Sequence, residues 1–187
     1  MEALSKDELL HILAAAKASS ERDWLMCLVG FWHGLRASEV CGITASDVQD
    51  GHLTVARLKG SLKTIQPLIR HGNALLDEAT GISEFLAARS FWAPNQKIFP
   101  ITRQHFWRCV RRHAKTAGIP IRKGHPHIFK HSIAMHTIHS AGIENVRRYL
   151  GHKSIASTGA YLQVSDSAAS SAIGAAAGAL GPSESSE

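Results

Sequence analysis

A tyrosine hydroxyl, with an unperturbed pKa of about 10, is a weak nucleophile at neutral pH and needs activation by its surroundings. Tyr161 stands nine residues after His152, downstream of the segment Leu150-Gly151-His152-Lys153-Ser154-Ile155. Two further segments concentrate cations and imidazoles. One is Gly34-Leu35-Arg36-Ala37-Ser38-Glu39-Val40; the other is His125-Pro126-His127-Ile128-Phe129-Lys130-His131-Ser132. Arg36 follows a glycine turn at an expected helix start, a suitable place for a guanidinium to reach a phosphate. Its planar fork matches two phosphate oxygens. Phosphodiester cleavage needs a nucleophile, groups that neutralise two non-bridging oxygens and a proton for the leaving hydroxyl. These residues supply such a set.

Each of them alone has a plainer reading. Arg36 would be a surface or salt-bridge arginine and Tyr161 a half-buried packing residue. Lys59 and Lys63 would be a solvated hairpin tip. His127 and His131 lie one helical turn apart, but no nearby cysteine or carboxylate completes a ligand set, so no metal site is expected. Ile143 to Leu162 also has the form of a helix-turn-helix, a repressor-like DNA reader in which Tyr161 only packs. That reading leaves Gly34–Val40 and the hairpin lysine unexplained.

The elements that must position these residues follow from pattern and punctuation. Ser5-Lys6-Asp7-Glu8 has the form of a capping box, and the spacing of Leu9, Leu10, Ile12 and Leu13 predicts a helix to about Lys17. Ser20 with Asp23 starts a second helix through Trp24, Leu28 and Phe31, with Gly34 as its stop. A short helix is expected around Ser38 to Cys41. Asp50-Gly51 signals a turn, and His52–Leu58 and Lys63–Ile69 read as strands flanking an exposed basic tip. Helices are expected over Asn73–Ser90, from Thr102 to Ala117, and over His127–Ala141, Ile143–Leu150 and Ser154–Leu162. The Thr102–Ala117 helix carries Arg103, Arg108, Arg111, Arg112 and Lys115, a face suited to phosphate contacts. The fold class is therefore mainly helical (α+β), with one small antiparallel sheet near residues 43–69.

The composition agrees. The chain has 187 residues, 44% of them hydrophobic, enough for one domain with a real core. No apolar run approaches the roughly 20 residues of a membrane helix, and the N-terminus lacks a signal-peptide pattern. Cys27, Cys41 and Cys109 are scattered, which points to buried thiols in a reducing compartment and hence a cytoplasmic protein. A net charge of +6 and a pI near 9.5 favour an anionic partner such as nucleic acid. Residues 1–165 read as one domain. Residues 166–187 are an Ala/Ser/Gly-rich tail that cannot order itself alone, either flexible or docked on a neighbouring protomer.

The three segments together, in this order, resemble the motifs of the tyrosine recombinase (phage integrase) family: G-L-R-x-S-E-[LV], H-x-L-R-H-[ST], and L-G-H-x-[ST]-I with a tyrosine nine residues after its histidine. The resemblance implies the catalytic domain of a site-specific recombinase, of the short single-domain type or the core of a longer parent. It assigns Tyr161 as the nucleophile that forms a 3′-phosphotyrosyl bond. Arg36 would hold the phosphate, and Lys59 would protonate the leaving 5′-oxygen. His127 would shuttle a proton near the phosphate and His152 would donate to a non-bridging oxygen. Lys63, Arg103, Arg108, Arg111 and Arg112 would bind DNA. It implies no metal, cofactor or ATP, with duplex DNA as partner and a homotetramer assembled on it. A type IB topoisomerase shares the chemistry but works as a monomer. The sequence departs from the family at Lys130, where the pattern has arginine. A lysine is a point charge without the fork, so Lys130 is either a working substitute or the mark of a weakened enzyme that still binds DNA.

Overall fold

The computed structural model describes residues 2–57, 62–152 and 158. The expected Lys59, Tyr161, Ser154–Leu162 helix and tail fall outside the described residues, as does most of the hairpin tip.

The architecture is mainly helical with one small antiparallel sheet. Helix α1 (Lys6–Ser19) starts on the capping box, in which the Ser5 hydroxyl accepts from Glu8 N–H and Glu8 reaches back to Ser5 N–H. Helix α2 (Glu21–Trp32) starts on the Ser20 cap and is buried along almost its whole length. It packs against α1 and, from the other side, against α6 (His127–Ala141). Helix α5 (Arg103–Thr116), capped by Thr102, buries Phe106, Cys109, Val110, His113 and Ala114 against this centre. Helix α3 (Ala37–Val40) and helix α7 (Ile143–Tyr149) are short and flank the ends of α2 and α6.

The sheet order is β1-β2-β3: Val48–Gln49, His52–Val55 and Thr64–Pro67. Asp50 and Gly51 both have positive φ, 50° and 72°, which is the turn form that matches strand twist in a two-residue hairpin. The turn therefore joins β1 to β2. Strand β1 was not expected, because two residues give no alternation to read. Both longer strands are shorter than the sequence implies. Past Val55 the chain leaves the sheet, and Arg57 turns inward.

The expected helix over Asn73–Ser90 shortens to α4 (Glu78–Ala87). The reason lies in competing hydrogen bonds. Asn73 Oδ1 accepts from Leu75 N–H in a local turn. The Trp24 and Trp32 indoles then donate to the Leu75 and Leu76 carbonyls, at 2.9 and 3.0 Å. Those carbonyls are thus used by the core, and the helix begins only at the Asp77 cap.

Two buried polar clusters tie the layers together. Asp23 on α2 accepts from Arg22, from Arg112 and from His113 Nε2 at 2.9 Å. Burial alone would raise its pKa, but the His113 and Arg22 donors outweigh it and hold the carboxyl well below the usual range. At the other end of α2, His33 Nδ1 meets Gln66 Oε1 at 2.7 Å and His33 Nε2 lies 2.9 Å from Glu78 Oε1, all fully enclosed. The chain before α1 is strapped to α6: the Ser132 hydroxyl accepts from Leu4 N–H, and His136 Nε2 meets the Leu4 carbonyl. All three cysteines are free and buried. Burial raises each thiol pKa, that of Cys41 to about 11.

Helix α2 ends in a double hydrogen bond, Gly34 N–H to Phe31 O and Leu35 N–H to Gly30 O, which needs Gly34 at φ +57°. A Cβ at Gly34 would lie 2.3 Å from Leu150 Cδ2. Gly34→Ala is therefore expected to lose about 2–4 kcal/mol, combining left-handed strain with overpacking. Urea unfolding measures this, and a loss under about 1 kcal/mol, less than the strain alone, would contradict the close approach of Leu150.

Candidate active site

The turn after α2 and the turn after α7 face each other. Helix α7 closes as α2 does, with Gly151 N–H to Arg148 O and His152 N–H to Arg147 O, and Gly151 at φ +68°. The glycines of the first and third segments are thus the residues that end these two helices. Each lets the chain turn sharply, so that Arg36 and His152 emerge toward one place.

Arg36 caps α3. Its N–H and Nη1 both donate to Glu39, at 2.8 and 2.9 Å, and the side chain stays 28% exposed. Glu39 is buried and also faces Arg57 Nη1 at 3.8 Å. Lys130, on the first turns of α6, is only 2% exposed and donates to the Leu150 carbonyl at 3.3 Å. Burial, then the charges of Arg57 and Arg36, lower its pKa from 10.5 to about 7, with Glu39 opposing. His127 lies exposed at the rim of α6, edge-on to His131 with ring centroids 4.4 Å apart. Crowding by protein and the Lys130 charge hold the His127 pKa below its usual value. His152 is buried, with Nδ1 2.9 Å from the Thr158 hydroxyl. Its pKa falls to about 4, by burial first and then by Lys130 and Arg36, so it is a neutral imidazole at pH 7. Four expected residues, Arg36, His127, Lys130 and His152, are therefore neighbours.

A cleft of about 670 Å³ opens from Arg36 and His127 along α5, where Arg103, Trp107 and Arg108 line it. Arg111 lies over the Trp107 ring at 4.9 Å. Two other expected DNA contacts sit differently. Arg112 reaches back to Asp23, so part of its charge serves the core. Lys63 is exposed in a separate groove with Arg147 and Arg148. Arg122 and Lys123, in the loop before α6, pair with Glu2 and Glu8.

Sequence reasoning missed Arg57. Its guanidinium is fully enclosed and joins the His33, Gly34 and Tyr149 carbonyls. The signal was available: Leu53 and Val55 are buried, and period-two alternation puts Arg57 on their face. Tyr149, the other tyrosine of the chain, is tied into the core. Its hydroxyl donates to Trp32 O at 3.0 Å and burial pushes its pKa up to about 12. Among the described residues no group of three or more metal-binding side chains occurs, and no helix is long and apolar enough to cross a membrane.

Residues 2–168 match the model of the phage integrase family. The chain is 30% identical over 170 residues to tyrosine recombinase XerA of Pyrococcus furiosus, covering 87% of this chain and 57% of that protein. It is 30% identical over 163 residues to the type 1 fimbriae regulatory protein FimB of Escherichia coli K12, covering 83% of this chain and 80% of FimB. The fold superposes on the XerH site-specific recombinase, solved with its difH substrate as a pre-cleavage complex. The TM-score is 0.74 at 19% identity, over 91% of this chain and 53% of XerH. The chain thus spans little more than half of XerA and XerH.

The depressed Lys130 pKa has a consequence for stability. Between about 7 and 10.5 the unfolded chain binds a proton that the folded chain releases, so Lys130 makes stability rise with pH across that window. Below pH 7 the burden of the buried ammonium is complete. Lys130→Met is expected to raise the melting temperature at pH 7, with the gain vanishing toward pH 10. A lower melting temperature at pH 7 would show that the ammonium is compensated.

Proposed function

The chain belongs to the phage integrase family, and from that premise we propose that it cuts and rejoins duplex DNA, one strand at a time, through a tyrosine–phosphate bond. One observation carries the reading: Arg36, His127, Lys130 and His152 are neighbours at the head of a cleft that Arg36, Arg103 and Arg108 line. The Arg36 guanidinium and the α5 arginines present forked donors and positive charge to that cleft, which suit a DNA phosphate.

In this reading the Tyr161 oxygen attacks the scissile phosphorus as its proton passes to the imidazole of His127, whose lowered pKa favours the neutral, accepting form. A P–O bond to tyrosine forms, and the bond to the 5′-oxygen breaks. Lys59 gives that oxygen its proton, leaving a free 5′-hydroxyl. Arg36, partly exposed, forks onto the phosphate. Lys130 adds a fixed point charge, His152 donates to a non-bridging oxygen, and His127 at the rim shuttles a proton. If the Thr158 hydroxyl donates to His152 Nδ1, the His152 proton stands on Nε2, the form that can donate. Attack by a 5′-hydroxyl on the phosphotyrosine reverses the step with no ATP, because the bond energy is retained. The cationic side chains do the work of charge neutralisation. With Tyr149 locked to Trp32, Tyr161 is the other of the two tyrosines in the sequence. Strand exchange would take four protomers on two duplexes. A weakened homologue that still binds DNA is the second reading, favoured by the buried, readily deprotonated Lys130.

A nicked suicide duplex, selected by the protein from a randomised library, tests both readings by the covalent adduct on a denaturing gel. Tyr161→Phe should abolish the adduct and leave binding intact. Lys130→Ala should lower its rate by about 100- to 1,000-fold, the scale of a lost oxyanion donor, and Lys130→Arg should keep or raise it. A parent without adduct, rescued by Lys130→Arg, establishes the weakened homologue. An adduct formed by the Phe variant at the parental rate overturns the tyrosine mechanism.

DNA affinity should fall steeply with salt. Replacing Arg103 and Arg108 with alanine should weaken binding evenly across sequences and flatten the salt slope by about 2. Replacing Arg112 should change the slope less, because Asp23 already holds it. Affinity independent of salt would contradict phosphate contact by the α5 cleft.

A further inference from the structure

We propose that Arg57 is a positioning residue for strand cleavage: it locks the turn after α2 to the turn after α7, and so sets Arg36, Lys130 and His152 in one frame. The inference rests on the recombinase reading above and adds a residue to it. Arg57 Nη1 donates to Gly34 O at 3.1 Å. Its Nη2 donates to His33 O at 2.9 Å and to Tyr149 O at 3.1 Å, and Nε donates to Thr64 Oγ1 at 3.1 Å. Gly34 stands two residues before Arg36, and Tyr149 three before His152. The next carbonyl along, Leu150, takes the Lys130 ammonium. One guanidinium therefore holds the backbone two residues before Arg36, three before His152 and one before the carbonyl that anchors Lys130.

Its donors point at protein acceptors and its side chain is fully enclosed, so Arg57 acts through other groups rather than on the phosphate. Gly151 is shaped around it. A Cβ there would lie 3.2 Å from Arg57 Cγ, 3.3 Å from Nε and 2.9 Å from Leu62 O. Leu62 N–H donates to Gly151 O at 3.2 Å. The two chain segments flanking residues 58–61 are thus both fastened to the turn that carries His152. The fork is also specific to arginine: a lysine could not serve three carbonyls on two turns and a hydroxyl together.

Arg57 has an electrostatic side too. Lys130 is faced by Arg57 just past the end of β2, by Arg36 and Glu39 from α3, by His127 and His131 from its own helix and by His152 from the turn after α7. Among these Arg57 is the leading repulsive charge. If cleavage needs a charged Lys130, the adduct rate falls as pH rises through the Lys130 titration, and Arg57 sets where that limb lies.

The test uses the full chain, the selected suicide duplex and three variants: Arg57→Lys, Arg57→Gln and Thr64→Val. Circular dichroism melts check folding, and Thr64→Val keeps the charge while removing only one acceptor. The expected result is parental DNA affinity in all three. Adduct formation should slow by about 100-fold in the Lys and Gln variants, the scale of a misplaced reacting group, and less in Thr64→Val. The high-pH limb should move up in Arg57→Gln, where the charge is lost, and stay in place in Arg57→Lys. A merely structural role would lower the rate at every pH without moving the limb, and that result overturns the proposal, as does an unchanged rate in both Arg57 variants. NMR titration of ¹³C-labelled lysine gives an arm independent of turnover. An upward shift of Lys130 in Arg57→Gln but not in Arg57→Lys supports the proposal even if the parent forms no adduct, and an unmoved Lys130 overturns it. Absence of a parental adduct would count against the recombinase reading alone.

Discussion

Two helix C-termini pointing at each other make an electrostatic problem, and the rest of this molecule is organised around its solution. The last turns of α2 and α7 bring the carbonyls of His33, Gly34, Tyr149 and Leu150 into one buried region, each end carrying the negative pole of its helix. Arg57 and Lys130 donate to those four carbonyls, and Gln66 adds a second donor to Tyr149 at 2.6 Å. Glu39 then balances part of the imported charge and orients Arg36. The cations near the cleft are therefore fixed by the fold before any substrate arrives. Such preorganisation is what makes charge stabilisation effective in a low-dielectric site.

The same region gives a physical account of lysine at position 130. The fork of Arg57 already serves the neighbouring His33, Gly34 and Tyr149 carbonyls. An ammonium is compact and needs one carbonyl, Leu150, to be held. The arrangement divides the carbonyls between two residues: Arg57 takes three with its fork, and Lys130 takes the fourth with an ammonium whose proton is loosely held. Burial makes this charge responsive to pH, which a guanidinium in its place would not be.

Much of this was legible in the sequence because the motif glycines have a mechanical meaning. Gly34 and Gly151 end helices in the left-handed conformation, which turns the chain sharply just before Arg36 and His152. Caps such as Ser5, Ser20 and Thr102 fixed helix starts correctly, since each side chain satisfies a backbone donor nearby in sequence. What the sequence hid depends on partners far along the chain. The start of α4 is set by Trp24 and Trp32, some 50 residues earlier. The enclosed His33–Glu78 contact and the diversion of Arg112 to Asp23 are likewise contacts between distant segments. Arg57 was hidden for another reason. At the edge of a basic hairpin it reads as one more solvated cation, and only its alternation with Leu53 and Val55 marks it as inward.

The three cysteines, each buried with a thiol pKa above its usual value, bear on how the molecule can be observed. Thiol-directed dyes react with exposed thiolates, and these sites offer almost none at neutral pH. A single cysteine introduced on the outer face of α5 or α1 would therefore take a fluorophore selectively in the otherwise native chain. Assembly and dissociation on a labelled duplex could then be followed one molecule at a time, without first stripping the core of its sulfur.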